Sequence, residues 1–571
     1  MFKRKRIFAL VLALLMLTVF IAGCNSGGND TSPSTGGGTT PTPTPTPAPT
    51  PEGADNILRF GTTGIDGAFN PIMSSNVYDA YVCDLLFEGL ITNDHKGAFS
   101  GYIADYTISD DFLTYTFTLK DGIKFSDGTP MTSADVAFTY KTMAHPDYNG
   151  PRSYAVADML GYEAYSSGDA DDFEGIKVID GKTVSFTFAE GMASPANIEC
   201  FSYGIMPEHY YKFDNFDDFL DLNEVPVGSG WFVLDEYRRM EYVMLSRNDA
   251  YWDAANAAKI DGVLMSEIPD ESLMDSFATG LLDLAQPGSS QDAFDAYTAM
   301  DNVTIKAQLG NGYTFMCFNT KRPQLEDVRV RQALMYALDR VSFIAAQYGP
   351  DLASVGLAPI SPVSWAFPDS GINDYAFDMA KAAALMDEAG WTKGSDGIRE
   401  KGGVKMAVNW LVYTDSAWPG LLSSMAADTW KELGVDLTIE LMDFVTVASR
   451  TMDAPVEDKD FDIYTMGFSL SIDPDPTGAL FDYDAYVEGG FNASGYYNEK
   501  AQQLIKDGKT EFDQAKRAAI YKEWAQLMNQ EIPTVIIAYR YELWVHNDRV
   551  QNLDISPYVN WTYHINKITL S

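Results

Sequence analysis

Few residues in this chain are spaced for covalent chemistry. Gly467-x-Ser469-x-Ser471 comes nearest to a nucleophile elbow but has Ser where the second Gly is needed. No HExxH sequence of a zinc protease occurs. A pair of carboxylates could serve a glycosidase, yet among 80 acidic residues any single pair is uninformative. Asp473, Asp475, Thr477, Gly478 and Asp484 match part of a calcium loop, but Pro474 and Pro476 stiffen it and the usual final Glu is Asp. The histidines (His95, His145, His209, His546, His564) are scattered, and no CxxC or Cys/His metal spacing occurs. These residue types point away from catalysis, and no resident metal or cofactor is expected.

The N-terminus is the segment whose chemistry is most readable. Lys3, Arg4, Lys5 and Arg6 precede an apolar run from Ile7 to Ile21, which reads as a signal peptide over residues 1–23. Ile21-Ala22-Gly23-Cys24 resembles a bacterial lipobox, which implies cleavage before Cys24 and lipidation of its sulfur. Two or more acyl chains hold a protein firmly at a membrane surface. Residues 24–54 then read as the lipidated Cys and a tether. Gly36-Gly37-Gly38 is flexible, and Pro41 to Pro51 alternates Pro with Thr or Ala, a composition that favours extended polyproline II.

Roughly 515 residues remain, enough for two or more domains. The whole chain is 46% apolar and 13% aromatic, a composition that can build large cores. The net charge of −40 excludes nucleic acid as a partner and repels anionic lipid. The membrane is met through the lipid anchor only. Cys83, Cys200 and Cys317 are an odd number, so either one disulfide or three free thiols fit.

The elements that must position any site are a mixture of strands and helices. Leu113, Tyr115, Phe117 and Leu119 alternate with polar residues, as in a half-buried strand. Asp127-Gly128 marks a turn. Thr132 to Asp135 makes a capping box ahead of Val136, Ala137, Tyr140 and Met143 at helical spacing. Ile176 and Val178, then Asp180-Gly181, then Val184, Phe186 and Phe188 read as a hairpin. Asp327 caps a helix whose apolar face is Val330, Ala333, Leu334, Ala337 and Leu338. Arg329 and Arg331 are expected to pair with acids. A helix over Leu385, Met386 and Ala389 ends at Gly390, and Thr534 to Tyr539 reads as a buried strand.

Several blocks, in order, resemble one family. Phe87-Glu-Gly-Leu-Ile-Thr-Asn-Asp94 and the stretch from Asp110 to Val136 look like the signature of family 5 extracellular solute-binding proteins. These are the oligopeptide-, dipeptide- and nickel-binding components of ABC importers. Val227 to Leu234, Asn248 to Trp252, Ser276 to Leu284, Asn319 to Arg340 and Ala380 to Trp391 are similar to later family blocks. The resemblance spans about Leu58 to Ile568.

The resemblance implies an α/β, two-lobe periplasmic-binding-protein-like fold (type II, cluster C) with an extra subdomain on lobe I. Lobe I would take 55–309, with the subdomain at about 96–200. Lobe II would take 310–530, and 531–571 would return to lobe I. Ligand would sit between the lobes and favour the closed form. Dipeptide- and oligopeptide-binding members place an aspartate four residues before a proline to meet the peptide's amine. Here that count falls on Leu470 or Ile472, with Asp473 or Asp475 as substitutes if the loop differs in length. Ser416-Ala-Trp-Pro419 lacks the arginine that dipeptide binders use for the carboxylate. The implied cleft residues are Phe468, Ser469, Ser471 and Asp473, then Trp410, Tyr413 and Trp418, then Tyr313, Phe69 and Asn70.

The expected function is capture of oligopeptides and delivery to the transmembrane subunits of an ABC permease. A neutral oligosaccharide or other small solute is the alternative, a signal-peptide receptor on the same fold a further one, and a secreted hydrolase the competing class. The protein is expected to be a monomer on the outer face of a Gram-positive membrane.

Overall fold

The computed structural model describes residues 56–571. The signal peptide, Cys24 and the tether lie outside the described residues.

The chain enters with β1 (Ile57–Thr62) and the helix α1 (Val77–Leu86), whose cap Asn76 accepts from the N–H groups of Tyr78 and Asp79. A small antiparallel sheet follows, built from β2 (Ala104–Ile108) and β3 (Thr114–Leu119), then, after α2 (Ser133–Met143), β4 (Ile176–Val178) and β5 (Thr183–Thr187). Its order is β2-β3-β5-β4. The β3 alternation is real, with Tyr115, Phe117 and Leu119 buried. Asp135 reaches back to accept from the Thr132 N–H at 2.7 Å, completing the α2 cap. Gly128 takes φ +88° at the expected turn.

The main sheet begins at β1 and continues through β6 (Phe232–Arg238), β7 (Tyr242–Arg247), β8 (Gly262–Glu267), β9 (Leu284–Ala285) and β10 (Val303–Leu309). The turn into β6 needs glycine, because a Cβ on Gly228 would lie 2.0 Å from the Leu86 carbonyl oxygen. A second group of strands comprises β11 (Gly312–Phe318), β12 (Ala353–Val355), β13 (Ala407–Tyr413), β14 (Asp436–Met442) and β15 (Ile463–Ser469). Between them lie α3 (Val328–Tyr336), α4 (Met379–Glu388) and α5 (Ala417–Leu433), and after them α6 (Gln514–Glu531).

The long strand β16 (Thr534–Asn547) belongs to both groups. Its first half pairs with β11 and β12, and its second half with β9 and β10. The change of partners falls at Arg540 and Tyr541, so the Thr534–Tyr539 strand still lies in the second group's sheet. The hydrophobic interior divides at nearly the same place. One core runs from Tyr313 to Leu543, and the other joins Leu58 through Leu284 to Trp544 through Ile568. Two sheets, each with its own core, make the two-lobe α/β architecture. Two adjacent backbone crossings join them, at Gly310–Asn311 and Arg540–Tyr541.

The α3 face of Val330, Ala333, Leu334, Ala337 and Leu338 is buried as its spacing requires. Asp327 caps α3, and Arg329 pairs with it at 2.6 Å. Arg331 pairs with an acid as expected, its Nη2 lying 3.9 Å from a Glu531 carboxylate oxygen, but it does so from inside the fold. Its side chain is 3% exposed and donates to the carbonyl oxygens of Leu325, Glu326 and Glu531. A buried guanidinium can be satisfied by main-chain acceptors, and these hold Arg331 inward beside the half-buried Glu531. Cys83, Cys200 and Cys317 are all free thiols. No helix among the described residues is long and apolar enough to cross a membrane.

Candidate ligand cleft

The crossings bring one wall of each lobe together. On lobe I the wall is the segment Tyr154–Tyr203, including the 3-10 helix Pro195–Ser202 with its N-cap Ser194. On lobe II it is the loop that leaves β15, Ser471 to Thr477, with Lys509 beside it. A cavity of about 310 Å³ lies between them, bounded by Tyr154, Glu199 and Tyr203 on one side and Ser471, Asp473 and Lys509 on the other. Its size is near the lower end of the roughly 300–1,000 Å³ typical of small-ligand sites.

The two walls touch at the rim. Lys509 Nζ lies 3.6 Å from an Asp158 carboxylate oxygen. Phe112 and Phe512 stack with centroids 3.8 Å apart. Asn311, at the first crossing, donates from Nδ2 to the carbonyl oxygens of Leu470 and Ser471, at 2.9 and 3.0 Å. The Gly310 N–H donates to the Arg540 carbonyl oxygen at 2.9 Å, binding one crossing to the other. The strand crossings and the loop after β15 are therefore one hydrogen-bonded unit.

Asp473 and Glu199 carry the electrostatics. Arg517 on α6 grips Asp473 with both terminal nitrogens, at 2.5 and 2.8 Å, in the forked geometry that favours Arg–carboxylate pairs. Glu199 faces the same loop from lobe I. Burial pushes its carboxyl up to about 7, the Asp473 charge adds to the rise, and the main-chain N–H groups of Ile472 and Asp473 oppose it. Asp475 is also raised, first by burial, while Thr477 donates to it from its N–H at 3.0 Å and its hydroxyl at 2.7 Å. The partial calcium loop is thus occupied by an ion pair and a turn, and no group of metal-binding side chains occurs among the described residues.

Of the residues expected at the cleft, Ser471 and Asp473 border this cavity. Phe468 is half-buried and stacks on Tyr313 at 6.0 Å, and Ser469 pairs with Gly312 across β15 and β11. Tyr313 itself is 4% exposed and lies in the lobe II core. Trp410 is fully buried against Trp430, centroids 5.4 Å apart. Tyr413 and Trp418 meet edge-on at 6.0 Å inside the same core. Their strand, β13, is flanked by β14 and β15 and covered by helices, and such interior strands bury both faces. Phe69 is buried against Tyr237, and Asn70 uses its Oδ1 to accept from the Ile72 N–H. The structure does not bring these eight to the cavity.

Sequence reasoning missed Tyr154, Glu199, Tyr203, Asn311 and Lys509. The Gly310-Asn311-Gly312 break between two strand patterns was the one readable signal for Asn311. Nothing local marks Glu199, because its partners lie far along the chain.

A larger cavity of about 610 Å³ lies within lobe I, near Trp231 and Tyr558. Two sequence blocks meet there. Glu88 accepts from the Tyr102 and Tyr251 hydroxyls, at 2.9 and 2.6 Å, and from Trp252 Nε1 at 2.8 Å. That buried carboxylate is fully engaged by one lobe, and the pocket is lined by that lobe alone.

Comparison with known proteins now bears on the whole chain. The model described as bacterial extracellular solute-binding proteins, family 5 Middle, matches residues 99–488. The chain belongs to that family. Family 5 members are binding proteins rather than enzymes, and this chain is a solute-binding protein of the ABC-importer type. It is 27% identical to the oligopeptide-binding protein AppA of Bacillus subtilis over 551 residues, covering 94% of each chain. It is 25% identical to the dipeptide-binding protein of Escherichia coli, covering 77% of this chain and 80% of that one. The structure of the Bacillus subtilis AppA in complex with a nonapeptide superposes with a TM-score of 0.72 at 25% identity, covering 90% of this chain and 99% of that one. NikZ from Campylobacter jejuni, in complex with Ni(L-His), shares the fold with a TM-score of 0.73 at 21% identity, over 90% of this chain and 99% of that one.

Proposed function

We propose that this protein captures oligopeptides outside the cell membrane and delivers them unaltered to the permease of an ABC importer. The observation that carries the reading is the cavity walled by both lobes beside two adjacent strand crossings. A ligand touching both walls binds the closed arrangement better than the open one, and that difference drives closure. Relatives named for oligopeptides and dipeptides support peptides as the ligand.

In this reading lobe I comprises the chain up to Leu309 and the stretch from Tyr541, with lobe II between them. Cys24 carries the lipid anchor at the outer face of a Gram-positive membrane, residues 24–54 form the tether, and the body acts as a monomer. Ser471 and its main chain contact the ligand, while Asp473 holds the loop in place.

Native mass spectrometry of the protein after incubation with a casein digest and with mixed maltooligosaccharides tests this. Peptide adducts are expected. Adducts with sugars alone, or with neither mixture, would overturn the peptide assignment.

A further inference from the structure

The cavity inside lobe I has an aromatic wall. Tyr102, Trp231, Tyr251 and Trp252 form it, with successive ring centroids 5.8 to 6.4 Å apart. Their polar edges are all turned into the protein. Glu88 accepts from three of the four side chains, and Trp231 Nε1 donates to the Asn256 carbonyl oxygen at 3.1 Å. Ring carbon is left to face the cavity, and Tyr102, Trp231 and Trp252 are only half-buried. A buried carboxylate that fixes three aromatic side chains holds a rigid apolar surface in place.

The rest of the lining is polar, and its charges nearly cancel. Asp84, Glu88 and Asp253 stand against Lys120 and Lys567. Each acid is already engaged. Asp84 accepts from Asn560 Nδ2 and the Thr562 hydroxyl, both at 3.1 Å, and Asp253 accepts from Asn256 Nδ2 at 2.7 Å. His564 is taken by Asp554 at 2.6 Å. No carboxylate is left over for a cation, and the three acids repel an anion. Two donors remain uncommitted, because the Tyr563 hydroxyl and Lys120 Nζ form no hydrogen bond or ion pair among the described residues. A neutral ligand with an apolar face and hydroxyls around its rim fits this lining, and a pyranose sugar has that form. The volume of about 610 Å³ lies well inside the range of small-ligand sites.

The geometry points to a second ligand site, wholly inside lobe I, that stacks a pyranose ring of a neutral glycan on Trp231 and Trp252 and meets its hydroxyls with Tyr563 and Lys120. This site is separate from the cleft between the lobes. All of its lining comes from one lobe, so a sugar bound there has equal affinity for the open and closed arrangements and shifts neither. It therefore serves retention rather than transport. A body that holds a glycan on lobe I stays beside that glycan while the cleft opens and closes on its own ligand. The site does not depend on what the cleft binds.

The test uses the full chain with two probes, maltooligosaccharides and N-acetylglucosamine oligomers, and reads binding by tryptophan fluorescence and native mass spectrometry. At least one series is expected to bind at millimolar concentration. Particles carrying a glycan and a casein peptide together are expected when both are offered. Trp231→Ala should weaken glycan binding about fivefold or more. Tyr563→Phe removes only a hydroxyl without a partner, so it should fold normally and weaken glycan binding about threefold or more. Binding of neither series would overturn the inference. Glycan that displaces peptide one for one would place the sugar in the cleft and overturn it too, as would unchanged glycan affinity in both variants. A protein that binds glycan at this site and retains no peptide would fell the peptide reading and leave the site standing. Should Trp231→Ala fail to fold, Tyr563→Phe and the doubly loaded particle decide.

Discussion

The two walls of the cleft each present a carboxylate, and the two are held in opposite ways. Asp473 on lobe II is gripped by Arg517, whose side chain is 3% exposed. Glu199 on lobe I has only main-chain N–H groups and a like charge for company. The same functional group is ion-paired on one wall and without a cation on the other. Position in a cleft loop therefore does not decide whether a carboxylate is committed; the partner it finds does.

Breaking the scaffold side should cost most. Arg517→Ala leaves Asp473 buried without its partner, an expected loss of about 3–5 kcal/mol in denaturant unfolding. Trp410→Ala should cost a similar or slightly smaller amount, about 3–5 kcal/mol, by opening a cavity against Trp430. At a temperature where the Trp410 variant stays folded, its peptide retention should equal that of the unaltered protein. A selective loss of binding would move Trp410 back to the cleft.

Asn311→Ala tests the link between hinge and loop. It removes two hydrogen bonds to the Leu470 and Ser471 carbonyl oxygens, so about 0.5–1.5 kcal/mol should be lost. The loss should show in ligand affinity more than in the unfolding midpoint.

The smallest effect sharpens the Glu199 side. Its carboxyl, ordinarily near 4.5, is raised to about 7 in the folded protein, so the folded chain binds the proton more tightly than the unfolded one. The stability it contributes is complete below about 4.5 and is lost as pH rises through about 7. Melting temperatures measured at about pH 5 and about pH 8 should therefore fall less for Glu199→Gln than for the unaltered protein. Parallel curves would place Glu199 in an ordinary solvated environment.

Much of the fold was legible because its signals are local. The Thr132–Asp135 cap, the Asp180-Gly181 hairpin and the Asp327-capped helix each depend on residues a few positions apart, and each forms. The β16 strand was visible from Thr534 to Tyr539, but its switch between sheets was not, since nothing in an apolar run shows which strands flank it. Aromatic residues misled for the same reason. Trp410 and Tyr413 read equally well as cleft or core, and the neighbours that settle it, Trp430 and Phe444, are contributed by other elements. Asp473 was visible as an acid, whereas Arg517, which occupies it, lies on a helix well downstream. Arg331 reads as a surface cation and is buried among carbonyl oxygens.

Small-angle scattering tests the central claim most directly, with the full chain measured alone and after saturation with the casein peptides it retains. Two bodies hinged at Gly310–Asn311 and Arg540–Tyr541 predict a smaller radius of gyration in the loaded sample. An unchanged radius at saturation would contradict a cleft that closes on its ligand.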